Sequence, residues 1–207
     1  MASDTKTKLL DSAELLFFEN GIDATSTRNI ADHAGTNNAA PNFHFGSKSN
    51  LIKAVFERRM RPLNERRAQV AAGYAEKGKL LEIESLIDVF AQPLFELLKS
   101  NDPGAKAFLG LLAQSTVMPI KEVEAVLSGE MDQYNQRYLD WFSQVLPELS
   151  KDELRLRIDY MIGAFAHAIS DASRRRMMKV SSKARKPDYI YKTLKAFLVA
   201  GFKADSV

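Results

Sequence analysis

Cysteine is absent from the chain, which excludes disulfides, thiolate metal sites and cysteine nucleophiles and fits a reducing compartment. Histidine is scarce, and His33, His44 and His167 are too dispersed for a zinc motif or a proton-transfer dyad. No apolar run approaches the ~18 residues that suggest a membrane span. The N-terminus lacks the basic, apolar and small-residue order of a secretory signal, so a soluble cytoplasmic protein is expected. There is no glycine-rich phosphate loop and no paired metal motif. That inventory predicts neither an enzyme nor a cofactor.

What remains is ordinary globular material. Its 207 residues, 45% hydrophobic and 27% charged, are enough for one core or two closely packed small domains. The formal charge of +3 is mild, but its distribution is uneven. Residues 24–61 hold six basic side chains (Arg28, Lys48, Lys53, Arg58, Arg59, Arg61) against two acidic ones, Asp32 and Glu57. The rest of the chain is near neutral, so an anionic partner would meet the N-terminal third.

Apolar spacing is helical throughout. Leu9, Ala13, Leu16 and Phe17 form one stripe that Gly21 can close. Thr25 and Ser26 offer capping hydroxyls to a short helix carrying Ile30 and Ala31, which Gly35 ends. Asn37 or Asn38 can cap a brief third helix reaching His44. After Gly46, Ser47 caps a longer one that carries Leu51, Ile52, Val55 and Phe56 and runs past Met60 and Pro62. Further helices are predicted over 80–99, 103–117, 120–127, 129–146, 151–178 and 188–203, with Met131, Tyr134, Tyr138, Trp141, Phe142 and Val145 on one face. The expected fold class is all-α.

The order of these signals over residues 5–56 resembles the DNA-binding domain of TetR-type regulators. The resemblance is carried by Leu16-Phe17, Gly21, Thr25-Ser26, Ile30-Ala31, Ala34-Gly35, Phe43-His44-Phe45, Ser47-Lys48 and Leu51. The string Asn42-Phe43-His44-Phe45-Gly46-Ser47-Lys48 is most similar to a branch of which some members respond to fatty acyl compounds. The resemblance implies an N-terminal three-helix helix-turn-helix domain, 1–60, and a C-terminal helical effector-binding and dimerisation domain, 61–207. Pro41 and Thr27 depart from the aliphatic residues usual at their places. With Asn37 as cap, Pro41 is expected to distort the first turn of the third helix.

A helix-turn-helix lays its second helix in the major groove, which selects Asn37, Asn38, Ala39 and Asn42 as base readers: asparagine pairs with adenine, and alanine touches the thymine methyl. Taken alone, Asn37 and Asn38 read more readily as a cap and a turn; ordered within the full motif, the balance reverses. Phosphate contacts are expected from Thr25, Ser26, Thr27 and Arg28 and from Ser47 and Lys48. The resemblance adds Phe43 and His44 near the sugar-phosphate chain, with Phe45 in the core. Arg58, Arg59 and Arg61 read as a solvated helix face.

The last two helices are candidates for a homodimer interface, small residues from Gly163 to Ala168 allowing close approach. Phe108, Leu112, Met118, Tyr138, Trp141, Phe142 and Phe165 are the candidate effector-pocket residues, although each alone reads as ordinary core. His167 reads as a buried, hydrogen-bonded histidine. Arg174, Arg175 and Arg176 begin a basic stretch reaching Lys186, either a solvated loop or the partner of an anionic effector group. The expected function is a repressor of a palindromic operator, released by a small apolar or amphipathic effector such as a fatty acid or acyl-coenzyme A. The alternative is a helical protein-protein adaptor that has lost DNA binding through Pro41.

Overall fold

The computed structural model describes residues 2–170 and 179–206, with the side chains of all of these except 2–3 and 127–135. Among the described residues there are nine α-helices, one short 3-10 turn and no strand. Arg174, Arg175 and Arg176 lie outside the described residues, as do the side chains of Met131 and Tyr134. No described helix is long and apolar enough to cross a membrane.

Helix α1 (Ala2–Asn20) buries Leu9, Ala13 and Phe17 completely, the one-sided stripe that its spacing predicts. It stops where Gly21, at φ +85, returns its amide to the Phe17 carbonyl at 3.0 Å, a left-handed turn that a Cβ would strain. Helix α2 (Thr27–His33) begins with a capping box: the Ser26 hydroxyl accepts from the Asn29 amide, and the Asn29 side chain accepts from the Ser26 amide. Helix α3 (Ala40–Phe45) follows. Helix α4 (Lys48–Ala75) is capped by Ser47, which accepts from the Asn50 amide at 3.1 Å. With 28 residues it is roughly 42 Å long, and it runs unbroken through Pro62.

Helices α5 (Ile83–Lys99) and α6 (Pro103–Ser115) form the centre of the remaining chain. Asp102 caps α6 by accepting from the Gly104 amide at 2.9 Å. Residues expected as two segments, 120–127 and 129–146, form the single helix α7 (Lys121–Val145); Gly129 lowers helix propensity by only about 1 kcal/mol, too little to interrupt it. Helix α8 (Lys151–Ile169) stops at its extended cap Ser170, and the rest of the helix expected over 151–178, residues 171–178, lies outside the described residues. His167 on α8 is exposed, correcting the buried reading. Helix α9 (Pro187–Phe202) closes the fold. The Arg157 guanidinium on α8 donates to the carbonyls of Gly201, Phe202 and Ala204 at 2.9–3.0 Å. That bond set satisfies the end of α9 and ties it to α8.

One core runs through both halves. Phe56 of α4 meets Phe108 of α6 edge-on at 5.8 Å, joining the α1–α4 cluster to the rest. Helix α6 approaches α1 closely because two positions lack a side chain: a Cβ at Gly110 would overlap the Phe18 ring, and one at Gly104 would overlap Glu14 and Arg59. Away from that seam, α8 and α9 leave Leu156, Tyr160, Tyr189 and Phe197 between 47% and 71% exposed. Nothing lies within 4 Å of a Cβ built at Gly163 or Gly201.

Candidate nucleic-acid interface and internal cavity

Helix α3 projects from a small three-helix platform. Its first residue is fixed by a side-chain turn: the Asn37 Oδ1 accepts from the Ala39 amide at 2.8 Å, and Ala39 is the helix cap, with no side-chain bond of its own. The helix therefore starts later than a cap at Asn37 would place it. Pro41 falls in the first turn, where an amide has no intrahelical partner, so the expected distortion is absent. Its ring and Phe45 are buried, holding α3 to the platform, while Asn38, Ala39, Asn42 and Phe43 are exposed, Phe43 by 82%. Asn37 has its carbonyl committed to the turn, which leaves its amide alone to face outward. His44 is half-buried and meets Phe43 edge-on at 5.1 Å.

Around α3, Ser26, Arg28 and Ser47 are exposed and Thr27 and Lys48 half-buried. The Lys48 ammonium donates to the Asp23 carbonyl at 3.3 Å. Thr25 departs from expectation. It is 2% exposed, and its hydroxyl donates to the carbonyls of Leu16 and Gly21 at 3.1 and 2.8 Å. It staples the α1–α2 turn and neither caps α2 nor faces outward, so its place among the phosphate contacts is corrected.

Arg58 and Arg59 are likewise not a solvated face. Glu14 of α1 is completely buried and accepts from Arg58 Nη2 at 2.8 Å, Arg59 Nε at 2.8 Å and Arg59 Nη2 at 2.7 Å. Arg58 reaches on to Asp11, and Arg59 to Asp102 at the start of α6, both at 2.6 Å. The hydrogen bonds to Glu14 hold the Arg59 guanidinium well above its usual range, and the hydrogen bond from Arg59 holds Asp102 below the ordinary value of 3.8. This cluster fastens α1, α4 and the α5–α6 junction together. Its signal was hidden, because Glu14 and the arginines are 44 and 45 residues apart.

A 230 Å³ cavity, open to solvent, lies between α4, α5 and α7. One wall is an alanine stripe on α4, Ala68, Ala71, Ala72 and Ala75, whose small side chains leave the volume unfilled. Leu80 and Val89 add apolar surface, Tyr138 and Trp141 an aromatic wall, and Arg67 and Arg137 the charged groups. Arg67 is 2% exposed; its guanidinium lies 4.4 Å from the Phe90 ring and donates to Asn64 Oδ1 at 3.1 Å.

The seven candidate pocket residues do not converge. Tyr138 and Trp141 line this cavity, and Phe165 stands behind it, 5.4 Å from Phe90, which in turn is 5.9 Å from Tyr138. Phe108 packs on Phe56, and Phe142 stacks on Phe202 at 4.6 Å. Leu112 is half-buried against the core. Met118 is 73% exposed and lines a different, 550 Å³ cleft between the α1–α2 turn, the start of α4 and the α6–α7 turn. The sequence reading missed Arg67, Arg137 and the alanine stripe. Their signal was the spacing of alanines at 68, 71, 72 and 75, which matches one helix face.

Beside the cavity, Asp88 of α5 is 7% exposed and joins three helices. It accepts from the hydroxyls of Tyr74 on α4 and Tyr191 on α9, and from the Lys195 ammonium on α9 at 2.7 Å. Burial, followed by the bond to the Asp88 carboxylate, pushes the Tyr74 hydroxyl up to about 12 and Tyr191 higher still.

A short exposed helix presented by two others, on a helical body with an internal cavity, defines a helix-turn-helix protein with an appended all-helical domain. Residues 9–55 match the profile described as bacterial regulatory proteins, tetR family, and residues 88–201 match the tetracyclin repressor-like C-terminal domain. The chain belongs to the TetR family of bacterial regulatory proteins. Over 53 residues it is 42% identical to the HTH-type transcriptional repressor KstR2 of Rhodococcus jostii (strain RHA1), a match spanning 26% of each chain. The match to the curated relatives thus covers about a quarter of their length. Among solved structures, the fold is similar to a TetR family transcription regulator from Shewanella sp. PV-4, with a TM-score of 0.65, 18% identity and coverage of 95% of this chain and 97% of that one. It is also similar to the fatty acid degradation regulator FadR from Bacillus halodurans, with a TM-score of 0.62, 17% identity and coverage of 97% of each chain. At those identities the likeness concerns the fold.

Proposed function

We propose that the chain is a repressor that binds a palindromic operator as a homodimer and leaves it when a small, largely apolar effector enters the α4–α5–α7 cavity. Residues 1–60 form the DNA-binding domain, and 61–207 the effector and dimerisation domain. The observation that carries this reading is the exposed face of α3, set within the matched segment 9–55. Asn38, Ala39 and Asn42 read base edges in the major groove, with Asn37 contributing its amide alone. Phe43, His44, Ser26, Thr27, Arg28, Ser47 and Lys48 hold the backbone.

The dimer forms through α8 and α9. Support comes from the exposed Leu156, Tyr160, Tyr189 and Phe197 and from the open backbone at Gly163 and Gly201, which together offer an apolar face that a second copy can approach. Two α3 helices then read half-sites about one helical turn, roughly 34 Å, apart. In the effector cavity, Tyr138 and Trp141 touch the ligand, and Phe165 supports them through Phe90.

The test is binding to fragments of the promoter region across a salt series, with Asn42→Ala and Lys48→Ala beside the unaltered protein. Asn42→Ala is expected to lose about 1–3 kcal/mol of discrimination at its base pair. Lys48→Ala is expected to weaken all sequences alike and to flatten the salt slope by about one. No binding at low salt would instead favour the protein-protein adaptor; with Pro41 accommodated in the first turn of α3, nothing in that helix favours it.

A further inference from the structure

Helix α3 carries amides where many readers of DNA carry charges. Residues 37–45 hold no arginine, lysine, glutamine, aspartate or glutamate, so on this helix guanine lacks its usual basic partner and cytosine its usual carboxylate. The exposed polar side chains are three primary amides, Asn37, Asn38 and Asn42, and they are not equivalent. No bond within the described residues occupies the side chains of Asn38 and Asn42, so each can turn both ends toward one adenine. Asn37 is tied twice to the start of the helix: its backbone carbonyl accepts from the Ala40 amide and its side-chain Oδ1 from the Ala39 amide, both at 2.8 Å. Only an oxygen can accept there, so the orientation of the side-chain amide follows from its chemistry. Oδ1 lies against the backbone, and Nδ2 is left as a donor.

Granting that α3 lies in the major groove, we propose that Asn37 fixes one base pair of each half-site as guanine on the strand it faces. Guanine is the base whose major-groove edge shows two acceptors, N7 and O6, and no donor, the complement of an NH2 group with no acceptor beside it. Adenine sets its N6 donor next to N7 and needs an amide with both ends free. Thymine has the single acceptor O4 beside a methyl group, and cytosine offers only the N4 donor. Two donors brought together in the groove leave both without a partner, which costs more than one good bond contributes. The order is therefore guanine first, thymine and adenine behind it, and cytosine last. The turn converts asparagine, ordinarily a reader of adenine, into a reader of guanine, and the operator joins one G·C pair to the A·T pairs read by Asn38 and Asn42.

Asn37→Asp is the informative change, because it keeps the oxygen that the Ala39 amide needs and replaces the outward donor by a second acceptor. The full-length protein, unaltered and as Asn37→Asp, selects duplexes from a randomised library at one fixed salt concentration. At one pair of the half-site the unaltered protein is expected to favour guanine about tenfold over cytosine, and the variant to reverse that preference on the same strand, since a carboxylate accepts from cytosine N4. The other positions should hold. Asn37→Ser, whose hydroxyl can take up the turn but is too short to reach the base, is expected to level guanine and cytosine at that pair; it decides the matter without an added charge if Asn37→Asp is repelled from DNA. Adenine at the pair that these variants alter, or a selected site that neither variant alters, would overturn the assignment. If Asn42→Ala still alters a pair of its own, α3 remains the reader and only the role of Asn37 falls. If the unaltered protein selects no sequence, both readings fall.

Discussion

Replacing Glu14 by glutamine isolates the ionic cluster that joins α1 to α4 and α6. The substitution keeps volume and one acceptor oxygen, removes the charge, and turns an amide donor toward a guanidinium. Glu14 is fully buried, whereas Arg58 and Arg59 are 23% and 18% exposed, so two mostly buried cations lose their shared anion. Their remaining partners, Asp11 and Asp102, are 57% and 46% exposed and are screened by water. Removing one partner of a buried pair costs about 3–5 kcal/mol. With the two outer carboxylates still in place, a loss of about 2–4 kcal/mol is expected. In a chain of this size 1 kcal/mol moves Tm by roughly 2–4 °C, so the melting temperature at neutral pH should fall by about 5–15 °C. Urea and thermal denaturation measure this, with Asp11→Asn as the exposed control, expected within about 1 kcal/mol of the unaltered protein. Replacing Glu14, Arg58 and Arg59 together by apolar residues of similar size should be milder than Glu14→Gln alone, since the only charges left without a partner, Asp11 and Asp102, are about half exposed and solvated. A Glu14→Gln protein within about 1 kcal/mol of the original would refute the premise that this cluster is desolvated.

Four further outcomes are expected. Tyr191→Phe removes one of three donors from buried Asp88 and should cost about 1.5 kcal/mol in urea. Stability from the two raised tyrosines is fully present below their unfolded value of 10.0 and lost as pH rises through the folded value, about 12 for Tyr74; ultraviolet phenolate titration of the protein against Tyr74→Phe and Tyr191→Phe should therefore show both hydroxyls ionising above pH 10. At the acid end, Asp102, Glu84 and Glu96 are held below 3.8, 4.5 and 4.5 by Arg59, Lys203 and Arg66. Their contribution is present above those unfolded values and lost as pH falls through the lowered ones, so Tm should begin to drop near pH 4.5, and the drop should shrink in the Asp102→Asn, Glu96→Gln double variant. Gly163→Ala should stabilise α8 by about 0.5–1 kcal/mol while weakening self-association in sedimentation equilibrium; unchanged association would remove α8 from the dimer face.

Local rules made the N-terminal third readable. Gly21, Ser26, Gly46 and Ser47 each act on neighbours within four residues, and the structure uses all four at helix boundaries. The misreadings begin where a partner is distant or a local choice is balanced. Asn37 has both capping and turn chemistry; its bond to the Ala39 amide decides for the turn, shifts the helix start, and makes Pro41 harmless. Thr25 looks like a cap beside Ser26 until the carbonyls of Leu16 and Gly21 fold over it. Arg58 and Arg59 look solvated because nothing in their own helix announces Glu14. The cavity is defined by what is missing, since alanine passes as an ordinary helix former until a neighbouring helix fails to fill the space beside it. Aromatic bulk was therefore the wrong guide: Phe108 and Phe142 found aromatic partners and became core.

The two polar clusters give the proposed switch its mechanical form. Helix α4 is held near Arg58 and Arg59 by the Glu14 cluster, and at Tyr74 by Asp88, which also grips α9. The alanine stripe, 68 to 75, overlaps the second anchor. A ligand entering between α4 and α7 therefore pushes on the α9-linked end of the helix, while its other end follows α1 and α6. From the cavity to Lys48 the helix spans about 20 residues, roughly 30 Å, so a tilt of about 3° displaces its N-terminus by about 1.6 Å. That is more than half the length of a hydrogen bond. In a dimer joined through α8 and α9 the displacement is applied to both copies of α3, and two half-site contacts fall out of register for one small rotation at each cavity.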